Sequence, residues 1–187
     1  AAVTQAALER HAELDRLLPM LAQALPNLGH LQTRNRGTVC GSIAHADPSA
    51  ELPLCLATLG GEVVLRSRRG RRTVAAQEFF TGMLQTDRAP DELVEEVRFP
   101  LAQARERHGF TEVSMRHGDF AIVALAAVVD ADAIRLGVGG VADRPQVARW
   151  PKLAGSALDD ALNQFAWDLG AQDDIHATAV YRRHLVR

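Results

Sequence analysis

The sequence predicts an α+β fold, with antiparallel sheets and helices segregated along the chain. Three observations predict it. Apolar residues recur at helical spacing near both ends of the chain. Short alternating runs, bounded by Gly and Pro, fill much of the middle. The order of these segments is helices, strands, helices, strands, helices. The expected division is an antiparallel sheet with flanking helices over residues 1–101, then a smaller α+β C-terminal domain over residues 107–187. The polar stretch Ala102–His108 separates them. A chain of 187 residues is long enough to bury a sizeable core.

Each element has its own signal. Thr4 suits a helix N-cap, and Leu8, Leu14, Leu17, Leu18, Leu21 and Leu25 follow near helical spacing. One or two helices are therefore expected from Thr4 to Leu25, broken near Pro19 and stopped by Pro26-Asn27. The segment Arg34–Pro53, RNRGTVCGSIAHADPSAELP, is rich in small and polar residues and reads as a loop. Residues 50–59 are apolar on a helical period and end at Gly60-Gly61. Glu62–Arg66 and Arg71–Ala75 form a hairpin around Ser67–Gly70, Glu78–Phe80 a helical turn, and Leu93–Phe99 a strand closed by Pro100. Phe110–Met115 alternates as a strand. Ala121–Val129, AIVALAAVV, is uniformly apolar, as a buried helix or a buried strand would be, and its alanines with Asp119 ahead of it favour the helix. Ala133–Val138 and Gly139–Val141 read as a strand pair, and Leu158–Trp167 and Ala177–Val186 as helices.

Composition excludes several classes. The apolar fraction of 47% and charged fraction of 24% are ordinary for a globular chain, and a net charge of -2 gives no electrostatic case for nucleic acid or an anionic membrane. The Arg66–Arg72 run, RSRRGRR, lacks interleaved aromatics and reads as a solvated hairpin tip. No apolar stretch approaches the roughly 20 residues of a membrane span. Cys40 and Cys55 alone cannot hold an iron–sulfur cluster or a structural zinc, and reduced thiols in a cytoplasmic protein are expected. The chain begins without Met, as a fragment or processed product would.

Candidate chemistry concentrates between residues 34 and 53. Ser42, His45 and Asp47 have the residue types of a hydrolase triad, but they are too close in sequence and carry no nucleophile elbow. His45, Asp47 and Glu51 lack metal-site spacing. Gly137-Val138-Gly139-Gly140 matches no phosphate loop and reads as strand ends and turns. Thr38–Ser42 is different, because consecutive backbone N–H groups with little side-chain bulk suit an anion such as a pyrophosphate. An ordinary connecting loop, with Asp47 capping the helix after Pro48, remains the alternative.

RNRGTVCGS followed by AHADPSAELP resembles the second flavin-contacting segment of FAD-binding subunits of molybdenum hydroxylases. That group includes the carbon monoxide dehydrogenase medium subunit and the flavin domain of xanthine dehydrogenase. LGGEVVLRSRRGRRTVAAQEFF, ELVEEVRFP, GFTEVSMRHGDFAIVALAAV and LGVGGVADRP extend the likeness over essentially the whole chain. Cys40 stands where the family most often has the first Gly of a pair, and its Cβ is expected to narrow the approach to the pyrophosphate or to change the backbone angles allowed.

The resemblance implies an oxidoreductase subunit that binds FAD and passes electrons from 2Fe-2S clusters on a small subunit, fed by a molybdopterin large subunit, to an outside acceptor. Thr38, Val39, Cys40, Gly41 and Ser42 would line the pyrophosphate, and His45 would lie near the ribityl–phosphate part. Glu51 would bond flavin or ribityl hydroxyls, with Asp47 beside it. Thr111 and Arg116 would sit near the isoalloxazine. No catalytic acid or base is implied. The family's first FAD subdomain has no match here, which implies a fragment with half a cleft, or a docking module that no longer binds FAD.

Overall fold

The computed structural model describes residues 1–187. The N-terminal third is a string of short helices: α1 (Gln5–Glu9), α2 (Leu14–Leu17), α3 (Pro19–Ala24), α4 (Leu31–Arg36), α5 (Val39–His45) and α6 (Glu51–Leu59). Thr4 caps α1, its Oγ1 accepting the Ala7 N–H at 3.1 Å. The expected run to Leu25 breaks twice, because the chain turns at residues 10–13 and again at Leu18, with Pro19 opening α3. A 3-10 turn over Leu25–Asn27 ends it. The loop expected across Arg34–Pro53 contains α5 and the start of α6. Thr38 caps α5, and Ala46 in the left-handed region (φ 54°) turns the chain out of it. Gly60 ends α6 with φ 71°, as expected for a C-terminal glycine.

Strands β1 (Glu62–Ser67) and β2 (Gly70–Ala75) form the expected hairpin. β5 (Leu93–Arg98) pairs with the other edge of β1, giving an antiparallel sheet of order β2-β1-β5. Between β2 and β5 lie α7 (Ala76–Phe79) and the small β3 (Phe80–Gly82) and β4 (Gln85–Thr86) ribbon. Four of the five hairpin arginines, Arg66, Arg69, Arg71 and Arg72, are paired rather than simply solvated. Arg66 meets Glu95 at 3.1 Å, Arg69 meets Asp91 at 3.0 Å, and Arg72 meets Glu92 at 2.7 Å. Acidic residues on β5 and on the turn before it supply the partners, which the local sequence could not reveal.

The second sheet has four antiparallel strands in chain order: β6 (Arg107–Ser114), β7 (Ala121–Val129), β8 (Ala133–Gly139) and β9 (Gln146–Pro151). It corrects the helix expected at Ala121–Val129. The run is uniformly apolar because β7 is covered on both faces, as buried central strands are. Ala124, Ala126 and Val128 belong to the core shared with α3, α5 and α6, whereas Val123, Leu125 and Ala127 pack with the C-terminal helices. Alternation exists in space, but both alternating sets are apolar. The partner of β8 is β9, not Gly139–Val141, which forms the strand end and following turn. The last helices are α8 (Ser156–Asp168) and α9 (Ala179–Val186), lying on the second face.

One glycine in this sheet is required by packing. Gly137 sits in mid-β8, where a Cβ would come 1.9 Å from Thr58 Oγ1 on α6. A close helix–sheet approach, not a turn, explains it. Cys40 and Cys55 are free thiols. No helix is long and apolar enough to cross a membrane.

Candidate functional site

A cleft of about 1470 Å³ opens between the N-terminal ends of α5 and α6, the β6–β7 turn, the β8–β9 loop and the residues ahead of α9. Its floor follows from local chemistry. Thr38 Oγ1 accepts the Gly41 N–H at 3.0 Å. A Cβ on Gly41 would come 2.7 Å from that oxygen, so the cap and the bare surface beside it require glycine. The Val39 N–H donates to Val3 O and the Ser42 N–H to Thr38 O, each at 3.0 Å. Three of the five N–H groups at Thr38–Ser42 are therefore engaged within the chain, and those of Thr38 and Cys40 have no partner in it.

The structure sorts the residues expected from sequence. Thr38, Gly41, Ser42, His45, Asp47 and Glu51 all line this one cleft. Val39 is buried in the first core. Cys40 packs on that core with Sγ 4.0 Å from the Glu95 carbonyl, so its side chain faces β5 rather than the cleft, contrary to the expected narrowing. Asp47 does not cap the following helix. Its Oδ1 accepts the Ser49 N–H at 2.8 Å, closing a local turn, and Ala50 holds the N-cap position of α6 without a side-chain bond. Thr111 and Arg116 are exposed on β6 and just beyond it, and neither lines the cleft. Their neighbours Met115, Gly118 and Phe120 do.

Glu51 has an unusual environment. It opens α6, is only 6% exposed, and faces the cleft. Burial pushes its carboxyl up to about 7. Its own backbone N–H is the main opposing influence, the nearby Glu112 and Asp47 push the same way as burial, and Arg34 opposes least. Near neutral pH the group is therefore a mixture of acid and carboxylate, able to donate as well as accept a hydrogen bond.

Two further lining residues carried no sequence signal strong enough to find them. Gln5 is 5% exposed, and its Oε1 is sealed without a hydrogen-bond partner. Arg182 is 4% exposed and donates to the carbonyls of Ile122 and Gly140 and to Asp174. Gln5 could have been suspected as a polar residue directly after an N-cap and before two alanines. Arg182 sits among other arginines, and only the fold distinguishes it.

Comparison with known proteins identifies the family and the fold. Residues 1–102 match the family model described as "FAD binding domain in molybdopterin dehydrogenase". The chain is 37% identical to the nicotine 6-hydroxylase medium subunit of Paenarthrobacter nicotinovorans, over 99% of this chain and 69% of that protein. It is 29% identical to the glyceraldehyde dehydrogenase medium chain of Sulfolobus acidocaldarius, over 91% of this chain but 64% of the relative. The crystal structure of quinoline 2-oxidoreductase from Pseudomonas putida 86 superposes with a TM-score of 0.89 at 31% identity, covering 98% of this chain and 68% of the other. Carbon monoxide dehydrogenase from Hydrogenophaga pseudoflava gives 0.92 at 26% identity with the same coverage. The chain thus spans about two thirds of the length of these proteins. It belongs to the family of FAD-binding domains of molybdopterin dehydrogenases, the medium subunits of molybdenum hydroxylases.

Proposed function

We propose that this chain supplies one wall of an FAD site in a molybdenum hydroxylase, from which electrons delivered by 2Fe-2S clusters reach an external acceptor. The observation that carries this reading is the convergence of Thr38, Gly41, Ser42, His45, Asp47 and Glu51 on one cleft within the span matched to the FAD-binding family. The residues fit the cofactor. Gly41 leaves a surface that any Cβ would fill, the Thr38 and Cys40 N–H groups lack partners, and the cleft can hold a dinucleotide-sized part.

In this reading Thr38 and Cys40 donate backbone N–H groups to the pyrophosphate, and Gly41 permits the close approach. Ser42 and His45 offer polar side chains further along the same helix. Glu51, raised to about 7, holds a cofactor hydroxyl either as donor or as acceptor. FAD, when bound, supplies the electron-accepting chemistry, and this chain supplies position and electrostatics. No residue is assigned as catalytic acid or base. The iron–sulfur and molybdopterin subunits are the partners this role requires. The names of the relatives, medium subunits and medium chains, support such a division of labour.

Flavin absorbance of the purified chain, before and after addition of FAD, tests the reading. Binding that falls strongly in Gly41→Val, and by roughly 10–100-fold in Glu51→Ala through loss of a charge-assisted bond, supports it. Binding untouched by both substitutions overturns the site. A chain that stays colourless with excess FAD favours the rival role, a docking module that does not hold the cofactor.

A further inference from the structure

We infer that the cleft takes up a proton when the cofactor binds, with Glu51 as its seat and Glu112, which does not line the cleft, as the positioning residue that favours it there. The inference rests on the FAD reading and adds its regulation, an affinity set by pH. Glu51 opens α6 at the cleft, is only 6% exposed and bonds no other side chain. Glu112 approaches from the sheet. It lies opposite Ala124 of β7, and opposed residues share a face of the sheet. Ala124 belongs to the first core, so the Glu112 carboxyl is on the side of α6, not of the C-terminal helices. Its Oε2 is sealed and has no hydrogen-bond partner. Cys55, one turn along α6 from Glu51, feels both carboxyls, which places the three groups together.

No cation is free to hold these carboxyls ionised. Arg34, the basic group that reaches Glu51, is committed to Glu9 at 2.9 Å and to the carbonyls of Leu28 and Gly29. Asp47, in the turn before α6, adds negative charge. α3, which packs on β6, carries no titratable side chain, and neither does β7. α5 brings His45 to the cleft, while Cys40 turns to β5. Arg135 of β8 lies at the far end of α6, on the Leu59 carbonyl. The charged or titratable groups across the cleft are Asp119, Asp143, His176 and the Asp174–Arg182 pair.

A charged oxygen without a partner is costly, so burial pushes both Glu51 and Glu112 toward the protonated form. A pyrophosphate at Thr38 and Cys40 brings more negative charge into the same cleft and drives Glu51 further that way. One proton then passes from solvent to a Glu51 carboxylate oxygen, and the resulting O–H donates to a cofactor oxygen. Below about 7 Glu51 is already protonated and affinity is level. Above that, each binding event must collect the proton, and affinity falls by up to about tenfold per pH unit. A Glu51 that served as acceptor would expel its proton on binding, and affinity would rise with pH.

Calorimetry of the full chain with FAD at about pH 7.5, in two buffers of different ionisation enthalpy, counts the protons exchanged. The expected result is net uptake in the parent and none in Glu51→Gln. The affinity of that variant should stay level from about pH 6 to about pH 9, while that of the parent falls roughly tenfold or more. Glu112→Gln should bind like the parent at about pH 6, with the start of the fall moved to lower pH, a shift that altered packing alone does not give. Proton release, or no exchange, in the parent overturns the inference. Uptake that persists in Glu51→Gln belongs to His45 or another group and overturns it too. An unmoved profile in Glu112→Gln overturns the part given to Glu112. A parent that binds no FAD at any pH overturns the FAD reading itself, and this inference with it.

Discussion

Glu51 shows how one side chain is set by where the fold puts it. A glutamate at the first position of a helix is ordinarily ionised and favoured by the helix dipole. Here burial outweighs that and lifts the carboxyl from 4.5 to about 7. The sign for stability follows. Between about 4.5 and 7 the folded chain binds more protons at Glu51 than the unfolded chain, so this group makes stability fall as pH rises through that window. Below it the contribution is neutral; above it the penalty is constant. Glu51→Gln should therefore raise the flavin-free melting temperature at pH 8, leave it nearly unchanged at pH 4.5, and flatten the profile between. A variant that melts alike at both ends relative to the parent would show that Glu51 is not desolvated. Glu92 behaves oppositely. Its hydrogen bonds with Arg72 hold it down at about 2, so its contribution is full above 4.5 and fades as pH drops toward 2.

At the scale of elements, the contact of α6 with β8 decides how the cleft is held. Thr58 is 1% exposed and donates its hydroxyl to the Leu54 carbonyl at 2.8 Å, with the same Oγ1 set against Gly137 on the sheet. Gly137 is what allows α6 to lie there. Gly137→Ala should cost about 1–3 kcal/mol by overpacking, and Thr58→Ala in the same chain should recover part of it, a non-additivity read by urea denaturation. Simple additivity of the two substitutions would mean that the helix does not press on this strand. Because α6 carries Glu51 at its other end, the same packing also fixes the height of that carboxyl in the cleft. The short α5 is backed by β5 through Cys40 and by Val39 and Ile43, whose burial in the first core pins the Thr38 cap.

Across the whole molecule, β7 is shared by two cores. One face of the strand closes the core built from the N-terminal helices and the first sheet. The other closes the core under α8 and α9. Arg182 reinforces the second union from α9, reaching the carbonyls of Ile122 and Gly140 at the strand ends that border the cleft. The buried guanidinium also holds Asp174 well below the usual carboxylate range. Arg182→Met should lower stability by about 2–4 kcal/mol, since it strips two buried carbonyls of their donor. Calorimetry should show one cooperative transition moving down, not a separate early melt of the C-terminal part, because neither core is complete without β7. Two resolved transitions in the parent chain would contradict this.

Much of this was legible in the chain itself. The β1–β2 hairpin, β5, α6 and the C-terminal helices follow from local turn chemistry and periodicity, which act over a few residues. The polar, small-residue text at Arg34–Pro53 pointed to the side of the molecule where the cleft lies and to the family. What the sequence could not decide was everything set by two-sided burial and distant partners. Ala121–Val129 is a strand because helices cover both its faces, and no local period records that. Cys40 turns away from the cleft because Thr38 starts a helix there and rotates it toward β5. Gln5, 37 residues before Ser42, reaches the same cleft only because α1 is stitched beside Gly37. Sequence alone determined the elements with strong local signals and the chemistry of one loop. The tertiary structure decided which of those side chains face a common space, because facing is fixed by packing between segments far apart in the chain.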